Sequence, residues 1–337
     1  MAIFRHTSDL PPEALGAVVA IGNFDGVHRG HQAVLARTGR LARDLGTSRA
    51  VLTFEPHPRR FFRPDGPPFQ LTSFRLKARL LEALGVDHVF LLTFNRALSE
   101  LSAEAFVRDI LVRDLRVRRV VVGDNFAFGH RRQGDIAFLR RMGRALGFKV
   151  SVLQRVKGPS GDPYSSTAIR DYLKVGDPTR AALLLGRYWE IEGRVQPGAR
   201  LGRKLGFPTA NIALGEILEP AHGVYAVRAG IDRGERTVWH AGVASLGVRP
   251  TVDGRTLLLE VHLFDTDQDL YGQHMRVALV DYLRPEWKFD GLEAMKEQMV
   301  EDDRRARVIL AGETWEAGWP AGPFMAEPAG AGERGGA

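Results

Sequence analysis

Short apolar runs at residues 17–21, 50–53, 89–94, 117–122 and 149–153 predict five strands, and stretches of helical period separate them. In the stretch 74–84, Leu76, Leu80 and Leu84 recur every four positions and mark the buried face of a helix; 135–146 reads the same way. Strands that are apolar almost throughout, with helices between them, predict a parallel sheet covered on both faces, a doubly wound α/β domain. After Arg187 the period changes. Strand candidates at 189–196, 223–229, 237–243, 256–263 and 274–283 follow one another with Gly and Pro in the gaps and no long helix, which predicts a small antiparallel β-barrel. A last amphipathic helix over 292–310 is expected to pack on that barrel through Met295, Met299 and neighbouring apolar positions. The turn and Leu-rich piece at 176–186 separate the two periods. They divide the chain into 1–183, 184–311 and a Gly-, Ala- and Pro-rich 312–337 that reads as a disordered tail.

Composition narrows the function classes. A chain of 337 residues suits two domains. No apolar run approaches the ~18 residues of a membrane helix, and Arg5, His6 and Asp9 interrupt the start where a secretory signal needs an apolar stretch. The expected compartment is the cytoplasm, with no membrane partner. The absence of cysteine removes disulfides, zinc-thiolate sites and thiol catalysis. The formal charge of +7, from 47 Lys and Arg against 40 Asp and Glu, fits anionic ligands, but scattered arginines also make an ordinary solvated surface. No Gly precedes a Lys, so a Walker-type phosphate loop is excluded. Gly330, Gly332 and Gly335 match a dinucleotide fingerprint only in spacing, with no room for a helix after them.

The strongest chemical signal is GNFDGVHRGH, residues 22–31, between the first strand candidate and a helix. Gly22 and Gly30 let backbone approach a ligand, Phe24 and Asp25 sit in the same turn, and the helix N-terminus offers free N–H groups to a phosphate. His28 and His31 beside that anion site can donate hydrogen bonds to charge that develops on phosphate oxygens during nucleotidyl transfer; two surface histidines on a turn are the plainer reading. Ser165, Ser166 and Thr167 open a later helix with Arg170 one turn in, where hydroxyls, free N–H groups and a guanidinium can clamp a triphosphate. TFEPHP (53–58) and GDNFAFG (123–129) follow other strands. Pro56, His57, Pro58, Phe62 and Phe128 are candidates for the wall of a flat ring, with Asn125 near the phosphates; core packing is the alternative for the phenylalanines.

In the second half, Gly198, Arg203 and Lys204 belong to a Gly-rich cationic loop able to cradle phosphates or to form a plain hairpin. Thr209 and Asn211, two apart in an extended segment, point their oxygens the same way and can hold Mg²⁺ on ATP phosphates. Glu260 is a carboxylate inside an apolar strand candidate, suited to orient or deprotonate a hydroxyl; an edge glutamate facing water would look the same. His262 shares its facing and reads more simply as a structural neighbour.

GNFDGVHRGH with SSTAIR resembles the HxGH nucleotidyltransferases, and TFEPHP, GDNFAFG and Gln133-Gly134-Asp135 narrow the resemblance to the FMN adenylyltransferase module of bacterial bifunctional FAD synthetases. GRKLGFPTAN, GVYAV, GVASLGVRPTV, LEVHLFD and DLYG resemble the riboflavin kinases, with Ser245 and Leu246 departing from the Asn-Ile expected before Gly247. The resemblance implies an enzyme that phosphorylates riboflavin to FMN in its C-terminal domain and joins AMP to FMN in its N-terminal one, using ATP and Mg²⁺ and giving FAD. It assigns Glu260 as catalytic base, Thr209 and Asn211 to the metal and ATP, and His28, His31, Ser166, Thr167 and Arg170 to the departing pyrophosphate. Small molecules are then the partners, without nucleic acid, and self-association, if any, is weak or transient. The rivals are a nucleotidyltransferase for another phosphate acceptor, and a flavin- or nucleic-acid-binding regulator that kept the fold.

Overall fold

The computed structural model describes residues 1–156, 158, 163–197, 206–233, 236–251, 254–266, 268–312, 315–316 and 319–320. The chain forms two compact units, Met1–Pro67 with Phe74–Tyr164, and Pro68–Ser73 with Ser165–Pro323.

The first unit is built on strands β1 (Ala2–Phe4), β2 (Val18–Ile21), β3 (Arg49–Glu55), β4 (His88–Thr93), β5 (Arg119–Gly123) and β6 (Lys149–Leu153). They form one parallel sheet in the order β1-β4-β3-β2-β5-β6. Every residue of β2 is buried, as expected of a strand covered on both faces. On one side α1 (Arg29–Asp44) packs Leu41 and Ala42 against Val18 and Val121. The larger core, with Val19, Leu52, Phe90 and Val120, takes Phe106 and Leu139 from helical segments opposite. The helix Ile136–Leu146 starts where the Asp135 carboxylate accepts the Phe138 N–H at 2.7 Å, and ends at Gly147, whose φ of 85° suits glycine. From β2 the chain fills positions on one side through β3 and β4, then crosses to β5 on the other. The sheet's switch point therefore lies at the carboxyl ends of β2 and β5, where open α/β sheets bind ligands.

In the second unit, β7 (Trp189–Arg194), β8 (Ala210–Ala213), β9 (Gly223–Arg233), β10 (Arg236–Thr251), β11 (Gly254–Leu263) and β12 (His274–Arg284) pair antiparallel in the order β7-β12-β9-β10-β11-β8. A bridge between Gln196 and Asn211 draws the two ends of that order together, giving the barrel-like closure. The predicted strands are all present, but β9 and β10 run longer than their apolar cores because they pair along almost their whole length as one hairpin. The helix Leu292–Ala311 buries Ala306 and Leu310 against Val224, Ala226 and Val280. Met295 and Met299, expected as its anchor, are only half-buried and line a cavity instead. Of the expected tail, Trp315–Glu316 pairs antiparallel with Trp319–Pro320, and the rest lies outside the described residues.

Candidate functional sites

In the first unit, the turn after β2 is shaped by three successive features. Phe24 (φ 49°) and Val27 (φ 43°) are non-glycine residues in the left-handed region, and both are fully packed in the core. For a β-branched residue that conformation is strained, and such strain persists where the surroundings impose it, often at functional sites. His28 then caps α1: its Nδ1 accepts the His31 N–H at 3.3 Å. A ring nitrogen that accepts carries no proton, so in neutral His28 the proton sits on Nε2. The His28 and His31 rings stack 3.6 Å apart at 19°. Gly30 permits this, because a Cβ there would stand 3.1 Å from the His28 ring and 3.2 Å from the Tyr164 carbonyl.

His31 is enclosed, with Phe24 tilted against it at 5.2 Å and its Nδ1 buried without a hydrogen-bond partner among the described residues. Burial, and after it the neighbouring His28 and Lys77, hold its pKa well below the ordinary imidazole value. It is neutral at pH 7 and keeps one N–H to donate. Lys77, on the helix α3 (Phe74–Ala83, with α2 being Pro58–Phe62), was read in sequence only as part of a core helix. It is 3% exposed. Burial lowers its pKa against the pull of Asp25 and Glu55, while burial raises that of Glu55. A signal existed: Lys77, Leu81 and Leu84 follow helical spacing, so the cation sits on the apolar stripe.

Gly22 and Asp25 belong to the same turn, and Asp25 is buried. Pro56, His57 and Pro58 follow β3, with His57 capping α2 through a 3.1 Å bond from the Arg59 N–H. Phe62 is 65% exposed and meets Phe61 and Phe94 edge-on at 5.2 and 5.7 Å. Phe128 is instead buried among Phe106, Phe126 and Phe138. Asn125 stands exposed just beyond β5. The loops after β2, β3 and β5 thus leave the same edge of the parallel sheet.

Ser165, Ser166, Thr167 and Arg170 lie in the second unit. Ser165 caps the helix Ser166–Lys174 by accepting the Ala168 N–H at 3.2 Å, and Arg170 donates to the Phe69 carbonyl at 2.8 Å. Gly198, Arg203 and Lys204 lie outside the described residues.

The second unit's other chemical groups converge on a row across three strands. Asn211 on β8 pairs opposite Glu260 on β11, which pairs opposite Ser245 on β10. Directly opposed residues share a face, with Cβ atoms about 4.5–5.5 Å apart. Asn211 is 4% exposed, and its Oδ1 is buried with no hydrogen-bond partner among the described residues. A buried amide oxygen left unmatched beside a carboxylate and the Thr209 hydroxyl is an oxygen-rich donor set of the kind a hard divalent cation takes. Beside the row lies a cavity of about 350 Å³. Its lining combines polar and charged groups, among them Thr209, Glu260, His262, Arg284, Glu286, Asp302 and Asp303, with the apolar Phe207, Trp287, Phe289, Met295 and Met299. Its dimensions and apolar lining suit a flat aromatic ring.

Sequence reading missed the buried pair Arg284 and Asp302, also at this cavity. Its members belong to different elements, and nothing local marks them.

Comparison with known proteins finds a family match for each half of the chain. The FAD synthetase family matches residues 10–168 and the riboflavin kinase family residues 185–310. The chain is 42% identical over 303 residues to the bifunctional riboflavin kinase/FMN adenylyltransferase of Escherichia coli K12, covering 90% of this chain and 95% of that protein. It is 45% identical over 313 residues to the protein of the same name from Pseudomonas fluorescens, covering 92% and 98%. The crystal structure of a macrolide-efflux protein from Streptococcus pneumoniae superposes with a TM-score of 0.79 at 28% identity, covering 93% of this chain and 99% of that one. Among the described residues no helix is long and apolar enough to cross a membrane.

Proposed function

The chain belongs to the bifunctional riboflavin kinase/FMN adenylyltransferases, and from that premise we propose how its residues divide the two reactions. It is a transferase: the C-terminal domain phosphorylates riboflavin to FMN with ATP, and the N-terminal domain transfers AMP from ATP to FMN, giving FAD and pyrophosphate.

For the kinase reaction, the riboflavin ring enters the apolar side of the cavity and presents its 5′-hydroxyl to Glu260, which orients it and takes its proton as the γ-phosphoryl group transfers. Thr209 and Asn211 hold Mg²⁺, which when bound neutralises charge on the ATP phosphates. Gly198, Arg203 and Lys204 extend the phosphate cradle. The observation that carries this reading is the register that sets Asn211, whose buried oxygen has no partner among the described residues, opposite Glu260 beside the cavity.

For the adenylyl reaction, the FMN phosphate attacks the α-phosphorus of ATP. His28 and neutral His31 donate to the developing charge, and Gly22, Phe24, Asp25, Gly30 and Asn125 shape the nucleotide side; the family resemblance assigns Ser165, Ser166, Thr167 and Arg170 to pyrophosphate oxygens. Pro56, His57, Pro58 and Phe62 form the flavin wall, whereas Phe128 packs in the core and serves the fold instead.

The proposed domain limits are 1–183 and 184–311, which the start of the kinase match at residue 185 supports, whereas the compact units divide earlier, between Tyr164 and Ser165. The remaining proposals are a cytoplasmic location, small-molecule partners without nucleic acid, and self-association no stronger than weak or transient. Incubation of the full chain with riboflavin and Mg-ATP, followed by chromatography of the flavins, tests the scheme. FMN should appear first and FAD after it; a folded chain that converts neither flavin would refute it.

A further inference from the structure

His262 follows Glu260 by two residues on β11, shares its face and lines the same cavity. Its Nδ1 lies 2.9 Å from the Pro208 carbonyl oxygen, in the residue immediately before Thr209. Its Nε2 lies 3.8 Å from Asp303 Oδ2 on the helix Leu292–Ala311. A carbonyl only accepts, so Nδ1 donates and Nε2 is the nitrogen turned to the carboxylate. Phe207 meets the ring edge-on at 5.3 Å and Phe264 at 6.0 Å, which fixes its plane, and the side chain is 14% exposed.

One imidazole therefore joins the strand of the base, the segment that leads into Thr209 and Asn211, and the C-terminal helix. The segment needs such a tether. Phe207 to Thr209 precede β8 and lie in no strand or helix, and Pro208 has no N–H of its own to offer. On the Asp303 side, Oδ2 is the oxygen turned to the ring, while Oδ1 is buried without a hydrogen-bond partner among the described residues.

Resting on the kinase reading above, we infer that His262 is a positioning residue for Mg-ATP: its bond to the Pro208 carbonyl fixes Thr209 and Asn211 relative to Glu260, and Asp303 orients the ring that makes this bond. It touches neither reacting atom. Its loss should weaken Mg-ATP more than riboflavin.

Two near-isosteric variants separate this role from simple packing. In His262→Asn the amide nitrogen can reproduce the Nδ1 donor, whereas in His262→Gln it falls near Nε2, away from Pro208. Steady-state kinetics of riboflavin phosphorylation on the full chain should show a rise in KM for Mg-ATP of about five- to tenfold in His262→Gln, the worth of one net hydrogen bond. The KM for riboflavin should change less than twofold, and His262→Asn should recover most of the lost Mg-ATP affinity. Tryptophan fluorescence on the same samples, with Trp189, Trp239 and Trp287 in the unit that carries His262, confirms that this unit is folded. Equal defects in both variants, or a rise confined to the riboflavin KM, would overturn the inference. Failure of the underlying reading looks different: Glu260→Gln would then phosphorylate riboflavin normally, whatever the His262 variants do.

Discussion

Replacement of Asp302 by alanine should destabilise the second unit by about 3–5 kcal/mol, as expected when one partner of a buried ion pair is removed and the other stays buried. Arg284, the last residue of β12, donates from Nε to both Asp302 oxygens at 3.0 Å and from Nη2 to Oδ2 at 2.7 Å. The two side chains are 7% and 3% exposed. Gln298 adds a bond to Asp302 Oδ1 at 3.0 Å, and the guanidinium lies 4.8 Å from the Trp287 ring centre and 5.6 Å from that of Phe289. Without the carboxylate the cation keeps the Pro285 carbonyl and the two rings but loses the three charge-assisted bonds of the pair. For a unit of this size 1 kcal/mol moves Tm by about 2–4 °C, so the expected fall is roughly 6–20 °C. All five tryptophans, at 189, 239, 287, 315 and 319, belong to this unit, so tryptophan fluorescence of the full chain follows its unfolding. The double variant Asp302→Leu with Arg284→Met should regain most of the loss, because an apolar pair carries no stranded charge. A fall under about 1 kcal/mol for Asp302→Ala, or a double variant as unstable as the single, would refute the view that this pair seats the helix.

His31→Ala should lower FAD formation from FMN by about 10²-fold or more, as loss of one preorganised donor does, while riboflavin phosphorylation persists; parallel loss of both activities would contradict separate sites. Because His31 has a depressed pKa, its neutral form dominates above that value, and protonation sets in only at lower pH than for an ordinary histidine. The rate of FAD formation should therefore hold as pH falls from 8 through about 6.5, and a loss centred near 6.5 would argue against the neutral donor. Lys77→Met removes the buried cation that Asp25 and Glu55 face and should cost the first unit about 3 kcal/mol or more in urea unfolding followed by circular dichroism, with the tryptophan signal unmoved; an unchanged transition would show the buried cation to be dispensable.

Much of the fold was legible because its strands carry their own signal. β2, β4 and β5 are buried on both faces and read as unbroken apolar runs, and the shift to closely spaced strands after Arg187 marked the barrel. β1 has only three residues, at the sheet edge, too few for a period to show. β8 was read as an extended stretch, since its partner β11 lies some fifty residues away. The chemical residues were legible as motifs, but their roles in the fold were not. That His28 caps α1 through its ring, and that Gly30 is needed for the two histidines to stack, depends on turn geometry that spacing does not encode. Lys77 was not singled out from its leucine-rich helix, and Arg284 with Asp302 acquires meaning only when a strand end and a helix meet. His262 was read as a neighbour of Glu260. Its contacts with Pro208 and Asp303 come from segments 54 and 41 positions away in sequence.

The claim on which the account rests is that two residue sets, one around Glu260 and one around His28 and His31, perform two separable transfers in a single chain. Glu260→Gln, supplied in turn with riboflavin and with FMN in the presence of Mg-ATP, tests it most directly through chromatography of the flavins. FMN formation from riboflavin should fall by about 10²- to 10⁴-fold, the usual worth of a positioned base, while supplied FMN is converted to FAD at the unaltered rate. Normal phosphorylation of riboflavin by the variant, or loss of FAD formation together with FMN formation in a folded protein, would contradict it.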